Sequence, residues 1–144
     1  MTDTVAVAAD HGGYELKTAL LSELKALGFA VLDLGTNNTD SVDYPDFAAA
    51  LAQAIADGRA QRGLLLCGTG IGMSIAANRH RHIRCALAHD ATTARLSRQH
   101  NDANVLALGG RVLGFEVAKD CLKAFFTASF ESGGRHSRRV ALLS

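Results

Sequence analysis

Five short apolar runs along the chain have the composition of buried β-strands. They consist of five or six residues each, mostly valine, leucine, isoleucine and alanine, and longer segments with a different periodicity separate them. Apolar runs of this length predict strands that are covered on both faces of a sheet. We therefore predict five strands, at residues 5–9, 29–34, 63–67, 83–88 and 104–108.

The segments between these runs place apolar residues at helical spacing. Leu16, Leu20 and Leu24 recur every four residues and would line one face of a helix. Pro45 suits the first turn of the next helix, and Asp90 suits the N-cap of a helix from residue 91 to about residue 100. The other predicted helices follow the glycine loop at 68–72, begin near residue 114, and form a short tail from about residue 135.

The regular alternation of strands and helices decides the fold class. Strands joined through helices run parallel, and their right-handed crossovers place helices on both faces of the sheet. We therefore predict an α/β protein with a five-stranded parallel sheet between two helical layers. No repeat or linker divides the chain, so residues 1–144 are expected to form one domain.

Composition excludes several classes of function. The chain has 144 residues, 48% of them hydrophobic and 20% charged, which is typical of a globular domain. A net charge of +1 gives no extended positive field for nucleic acid. No apolar run approaches the roughly 18 residues of a membrane span. The three cysteines form neither a disulfide framework nor a CxxC site, so we expect a reducing, cytoplasmic location.

The third predicted strand runs directly into a loop that combines a thiol with glycines. Cys67 is followed by Gly68, Gly70 and Gly72 at alternate positions. Such glycines let the backbone turn tightly and point several N–H groups at one anion. A cysteine beside these donors, at the start of a helix, is favoured as a thiolate and can act as a nucleophile or a base.

Reactive side chains follow three further strands. Since ligands of parallel sheets collect at the carboxyl ends of the strands, these residues predict one site for a small anionic molecule. The residues concerned are Asp10 and His11 after the first strand, His89 and Asp90 after the fourth, and Gly109 to Arg111 after the fifth.

Three familiar phosphate-binding sites do not fit the glycine loop. A dinucleotide fingerprint requires GxGxxG, but Met73 or Ile75 stands where the last glycine would be. A cysteine phosphatase would need an arginine six positions after its cysteine, and that position is also Met73. A Walker loop would need a lysine before Ser74.

Six ordered motifs, spread over residues 5–140, closely resemble those of the ribose-5-phosphate isomerase B family. They are Asp10-His11-Gly12, Asp43-Tyr44-Pro45, Cys67 to Gly72, Ser74 to Asn78, Ser97 to Asp102, and Gly133 to His136 with Arg139. The resemblance implies a Rossmann-like three-layer α/β/α domain with strand order 2-1-3-5-4. It also implies a homodimer or a dimer of dimers that interconverts aldose and ketose phosphates without a metal or organic cofactor.

The resemblance also implies a role for each matching residue. Cys67 matches the base that moves a proton from C2 to C1, and Thr69 the residue that assists proton transfer between the two oxygens. His100, with Asp10 opposite, matches the pair that opens the furanose ring. Met73 stands near the place of a glutamate base found in another branch, which assigns the chain to the cysteine branch. The implied substrate-binding residues are Tyr44 and Asn101 for hydroxyls, the backbone of Gly68, Gly70, Ile71 and Gly72 for the enediolate, and His11, Arg111, Arg135 and Arg139 for the phosphate.

The direction of one predicted helix indicates a shared site. A helix over residues 91–100 is about 15 Å long and runs away from the edge that carries Cys67. His100 is then far from Cys67 of the same chain. If both serve one site, a partner subunit must supply His100 together with Asn101. We therefore expect a homodimer with shared active sites, possibly assembled further into a tetramer.

These observations predict an isomerase that interconverts ribose 5-phosphate and ribulose 5-phosphate through a cis-enediolate. Two alternatives stay open. The substrate can be a hexose 6-phosphate of the allose or galactose type, or the domain can bind a phosphosugar without catalysis.

Overall fold

A computed structural model of the protein describes residues 3–143. Its strands are β1 (Thr4–Ala9), β2 (Ala30–Asp33), β3 (Arg62–Cys67), β4 (Cys85–Leu87) and β5 (Val105–Gly109). All four neighbouring pairs are parallel, in the order β2-β1-β3-β5-β4. The predicted fold class and the implied strand order are therefore confirmed. The edge strand β4 is shorter than its apolar run, because Ile83 ends a turn. The N–H of Ile83 donates to the His80 carbonyl at 3.0 Å.

Helices fill every connection between the strands. Pro45 lies in the first turn of the second helix, where its missing N–H costs no hydrogen bond. Asp90 caps the fourth helix, since its Oδ1 accepts from the N–H of Thr93 at 2.7 Å. No helix within residues 3–143 is both long and apolar enough to cross a membrane. The helices are α1 (Tyr14–Ala26), α2 (Tyr44–Ala56), α3 (Ile71–Ala77), α4 (Ala91–Asn101), α5 (Phe115–Thr127) and α6 (Arg135–Ala141).

The period-two alternation of the strands divides the core into two apolar clusters. In β3, Leu64 and Leu66 point into one cluster, which α1, α4 and α5 cover. Leu65 points into the other, which α2 and α3 cover. Because both faces of the sheet are buried, its strands read as continuous apolar runs in the sequence.

The register of the sheet brings the ends of three central strands together. Ala9 of β1 pairs with Leu66 of β3, and Cys67 of β3 pairs with Gly109 of β5. The loops after β1, β3 and β5 therefore meet at the carboxyl edge. Helix α4 starts from this edge and ends at the other one, where Asn104 donates to the carbonyl of Arg84, just before β4, at 3.0 Å.

Candidate active site

The loops after β1, β3 and β5 are held together by direct backbone contacts. Gly110 N–H donates to the Cys67 carbonyl at 2.8 Å, and Arg111 N–H donates to the Gly68 carbonyl at 2.8 Å. A Cβ on Gly12 would lie 2.9 Å from the Gly68 nitrogen. Close backbone packing thus requires glycine in this region. We call the predicted site residues at this edge the strand-end group: Asp10, His11, Tyr44, Cys67 to Gly72, and Arg111.

Cys67 is 5% exposed, and its sulfur lies within the glycine loop. The N–H of Gly70 donates to Sγ at 3.1 Å, and the N–H of Ile71 donates to Thr69 Oγ1 at 3.2 Å. Gly70 has φ +81°, a conformation that favours glycine. Among the described residues, the N–H groups of Gly68, Thr69 and Gly72 have no protein acceptor. These three are the backbone donors of the loop left for a ligand, because the N–H groups of Gly70 and Ile71 are already paired within the loop.

Asp10 and His11 are oriented by hydrogen bonds to backbone N–H groups. Asp10 is 7% exposed, and its Oδ1 accepts from Gly12 at 2.9 Å and from Gly13 at 3.2 Å. His11 Nδ1 accepts from the N–H of Val42 at 3.2 Å. In a neutral His11 ring the proton is therefore on Nε2, which can donate to an anionic ligand.

Two exposed side chains cover the glycine loop from outside. The Tyr44 ring lies against Gly72, where a Cβ would be 2.8 Å from Tyr44 Cε1. The Arg111 side chain lies over Gly68, where a Cβ would be 3.2 Å from Nη1. A phenol and a guanidinium thus border the loop that carries the thiol and the free N–H groups.

A second set of predicted residues lies where α4 ends beside α6. His100 stacks on His136 with ring centroids 4.2 Å apart and planes 10° apart. Partial burial lowers the pKa of His136, and the positive charges of His100 and the neighbouring arginines lower it further. His100, Asn101 and Arg139 line one cavity of about 320 Å³. Together with the adjacent Glu131 and His136, to which the sequence assigned no role, we call these residues the helix-end group: His100, Asn101, Glu131, Arg135, His136 and Arg139.

The two groups lie at opposite edges of the sheet of one chain. Asn101 also lines a cavity of about 490 Å³ with Arg84 and Cys85, at the amino end of β4. The strand-end group follows the carboxyl ends of the parallel strands. The implied phosphate clamp is divided in the same way. His11 and Arg111 belong to the strand-end group and Arg135 and Arg139 to the helix-end group, so one chain does not bring the four residues together.

Comparisons with known proteins agree with the resemblance seen in the motifs. A sequence model of the Ribose/Galactose Isomerase family matches residues 5–143. The chain belongs to this family. It is 44% identical over 140 residues to ribose-5-phosphate isomerase B of Escherichia coli, across 97% of this chain and 93% of that protein. It is 46% identical over 132 residues to D-erythrulose-4-phosphate isomerase of Pectobacterium atrosepticum, across 91% and 87% of the two chains.

A solved structure in the family has the same fold. Ribose-5-phosphate isomerase B of Clostridium thermocellum superposes with a TM-score of 0.94 at 46% identity, covering 97% of this chain and 94% of that one. The resemblance to the ribose-5-phosphate isomerase B family, stated from the motifs, is confirmed.

Sequence reasoning missed one residue that helps to build the strand-end group of this family member. Lys17 is 2% exposed, and its Nζ donates to Asp33 Oδ1 at 2.8 Å and to the Thr36 carbonyl at 2.7 Å. Thr36 in turn donates its N–H to the carbonyl of Ala9, next to Asp10, at 2.7 Å. The only signal in the sequence was a lysine beside Leu16 on the apolar face of α1.

Cys121 is buried in the core and Cys85 is partly buried against it, in agreement with their apolar neighbours. Burial raises the pKa of the Cys85 thiol to about 12, with the nearby Cys67 as a smaller cause. Burial also raises the pKa of the Cys121 thiol to about 11. Both thiols are therefore neutral at pH 7.

Proposed function

We propose that this isomerase interconverts ribose 5-phosphate and ribulose 5-phosphate. The observation that carries the proposal is the Cys67 sulfur beside unpaired backbone N–H groups at the carboxyl edge. Aldose–ketose isomerisation needs a base that moves a proton between two carbons, and donors that hold the negative charge formed meanwhile. The strand-end group contains both, and the Escherichia coli relative is named for this reaction.

The proposed proton transfer begins at Cys67. Its thiolate removes the proton from C2 of the open-chain aldose, and the electron pair forms the cis-enediolate. Thr69 assists proton transfer between the two oxygens, and the Cys67 thiol returns a proton to C1 to give the ketose. The free N–H groups of Gly68, Thr69 and Gly72 hold the enediolate, and such donors contribute about 3–4 kcal/mol each.

Ring opening requires a second acid–base pair, which we assign to Asp10 and the partner subunit's His100. Since the strand-end and helix-end groups lie at opposite edges of one sheet, a single chain cannot apply both to one sugar. A homodimer joins the strand-end group of one protomer to the helix-end group of its partner. It also completes the phosphate clamp, with His11 and Arg111 from one chain and the partner's Arg135 and Arg139.

Several further features belong to the same proposal. Residues 1–144 act as one cofactor-independent domain, located in the cytoplasm. Asn101 contacts a substrate hydroxyl in the partner's site, and Tyr44 does so in its own. A tetramer would be a pair of such dimers.

The reaction is tested with purified protein and ribose 5-phosphate, with and without EDTA. We expect ribulose 5-phosphate to form at a rate that EDTA does not reduce. Cys67→Ala should lower kcat by about 10²- to 10⁴-fold, the range for loss of a catalytic acid or base. Cys121→Ala, which removes a buried core thiol, is the matched control and should keep its turnover. A Cys67→Ala protein with full activity would support a role without cysteine catalysis.

The shared site is tested by mixing two inactive proteins. Cys67→Ala and His100→Ala chains, unfolded and refolded together, should form heterodimers with one intact site. Activity should then return to about a quarter of the wild-type level, because half of the chains pair as heterodimers and one of their two sites is intact. Confirmed heterodimers without activity would contradict shared sites.

Chain length of the sugar is the open part of the proposal. The relationship to a D-erythrulose-4-phosphate isomerase favours a four-carbon phosphate as a second candidate. The family description includes galactose, so a hexose 6-phosphate of the allose or galactose type is a third. Comparing kcat/KM for tetrose, pentose and hexose phosphates ranks the three. Binding of all of them without turnover would indicate a phosphosugar-binding domain.

A further inference from the structure

The helix-end group gathers two imidazoles and a carboxylate at one point. His100, Glu131 and His136 each offer one ligand atom, and these three atoms lie within 4.8 Å of one another. We propose that these side chains bind a divalent transition-metal ion of the Zn²⁺ type, and that the bound ion inhibits the isomerase by occupying His100. The inhibitory part rests on the proposed function, whereas the binding part does not.

The distances fit metal binding after small movements. Glu131 Oε2 is 3.8 Å from His100 Nε2 and 4.0 Å from His136 Nε2. Zinc–ligand bonds of about 2.0–2.1 Å in tetrahedral geometry place ligand atoms roughly 3.3 Å apart. Each nitrogen must therefore approach the carboxylate oxygen by roughly 0.5–0.7 Å. Since an imidazole lone pair lies in the plane of its ring, the stacked rings must also tilt apart.

The side chains of His100 and Glu131 have room to move, while the less exposed His136 side chain, at 16%, is more restricted. Hydrogen bonds hold the segments that carry the three ligands near one another. The side chains of His100 and Glu131 are 36% and 56% exposed. Glu131 N–H donates to the carbonyl of Gln99 in α4 at 2.9 Å, and Gly133 N–H donates to Ser137 Oγ in α6 at 2.9 Å. The three ligands are thus already assembled, which reduces the entropy lost on binding.

The ligand types, in the presence of nearby positive charge, determine which divalent ions can bind. Arg139 lines the same cavity as both histidines, and Arg135 is adjacent to His136 in α6. This charge weakens the binding of every divalent cation, and one carboxylate supplies too few oxygen ligands for Mg²⁺ or Ca²⁺ to offset it. Zn²⁺ and Co²⁺ bind imidazole well, and three protein ligands leave one position for water, as in open zinc sites.

Binding is tested by titrating EDTA-treated, dialysed protein with Co²⁺ and following its visible absorption. We expect one ion per chain, displaced by Zn²⁺ but not by Mg²⁺. Glu131→Gln and His136→Phe should each weaken binding by at least about tenfold. The phenyl ring of the second variant keeps a stacking partner for His100. Glu116→Gln and His80→Gln, which change other carboxylate and imidazole groups, are the matched controls and should bind as the wild type does.

Inhibition is tested separately, with ribose 5-phosphate turnover in metal-free buffer. Zn²⁺ should suppress the wild-type rate, EDTA should restore it, and Glu131→Gln should need at least about tenfold more Zn²⁺. The proposal is overturned if the wild-type protein does not bind Co²⁺. It is also overturned if both ligand variants still bind Co²⁺ and Cys67→Ala does not, because the ion is then at the thiol. If the two ligand variants bind Co²⁺ more weakly but the wild-type protein does not turn over ribose 5-phosphate, the proposed function is refuted and the metal site is supported.

Discussion

The strand-end and helix-end groups are built in different ways. The strand-end group rests on main-chain contacts between three loops, such as the 2.8 Å bond from Gly110 N–H to the Cys67 carbonyl. The helix-end group is held by side chains, chiefly the stacked rings of His100 and His136. Its helix α6 has seven residues, none of them buried. The backbone of the first group is therefore fixed by the sheet, while the side chains of the second group can adjust to a ligand or a partner.

This difference separates substitutions that damage the fold from those that weaken binding alone. Where backbones touch, an added methyl group must displace whole loops. Where exposed side chains meet a ligand, removing a charge leaves the fold intact. The following predictions apply this distinction, in order of decreasing effect.

Gly109→Ala should disrupt the strand-end group most strongly. A Cβ at this position would lie 2.6 Å from the carbonyl carbon of Thr69. We expect a loss of about 1–3 kcal/mol in the free energy of unfolding, typical of overpacking. Displacement of the glycine loop by about 1 Å would lower kcat about 10²-fold. Urea unfolding and steady-state kinetics measure the two effects.

Gly114→Ala is the matched control, because a Cβ there would meet no atom within 4 Å. It should keep wild-type turnover and lose much less stability. Equal losses in the two variants would show that close backbone packing is not what requires glycine at position 109.

Arg139→Ala should affect binding without affecting the fold. A hydrogen bond to a charged group contributes about 1.5–3 kcal/mol, so its loss should raise KM about 10- to 100-fold. The side chain is exposed in the described chain, so the unfolding free energy should stay unchanged. Arg138→Ala, one position away on α6, is the control and should have a nearly normal KM. A fall in kcat at constant KM would assign Arg139 to the chemical step instead.

The last prediction concerns the relative reactivity of two thiols, which is the smallest difference expected between the two regions. Because burial raises the pKa of the Cys85 thiol to about 12, this thiol is almost entirely protonated at pH 8 and reacts slowly with iodoacetamide. Cys67, whose sulfur accepts the N–H of Gly70, should be alkylated first at pH 8. Peptide mass mapping identifies the modified residue, and activity should fall in proportion to modification of Cys67. Faster alkylation of Cys85 would contradict this order.

Local patterns in the sequence predicted most of the fold. For the candidate site, they predicted which residues lie at the carboxyl edge of the sheet and that His100 does not lie there. Apolar periodicity located the strands and helices, because burial on both faces of a sheet leaves a continuous apolar run. The strand-end residues followed from one rule, that parallel strands carry ligands at their carboxyl ends. The length and direction of α4 further indicated that His100 lies far from Cys67.

The remaining details depend on contacts between residues far apart in the chain. His11 accepts from Val42 across 31 positions, which selects its tautomer. His100 and His136 stack although they are 36 positions apart in the chain (136 − 100). Neither contact leaves a periodic signal, since each depends on how two loops or helices pack.

The sequence by itself thus determined the alternation of elements, the sheet's parallel direction and the chemical groups at its carboxyl edge. These properties follow from residue type and spacing along one segment. Only the tertiary structure decided which N–H groups of the glycine loop stay free, how Lys17 is buried, and which side chains surround His100. Those outcomes arise from close packing between distant segments, where a shift of one ångström changes every hydrogen bond.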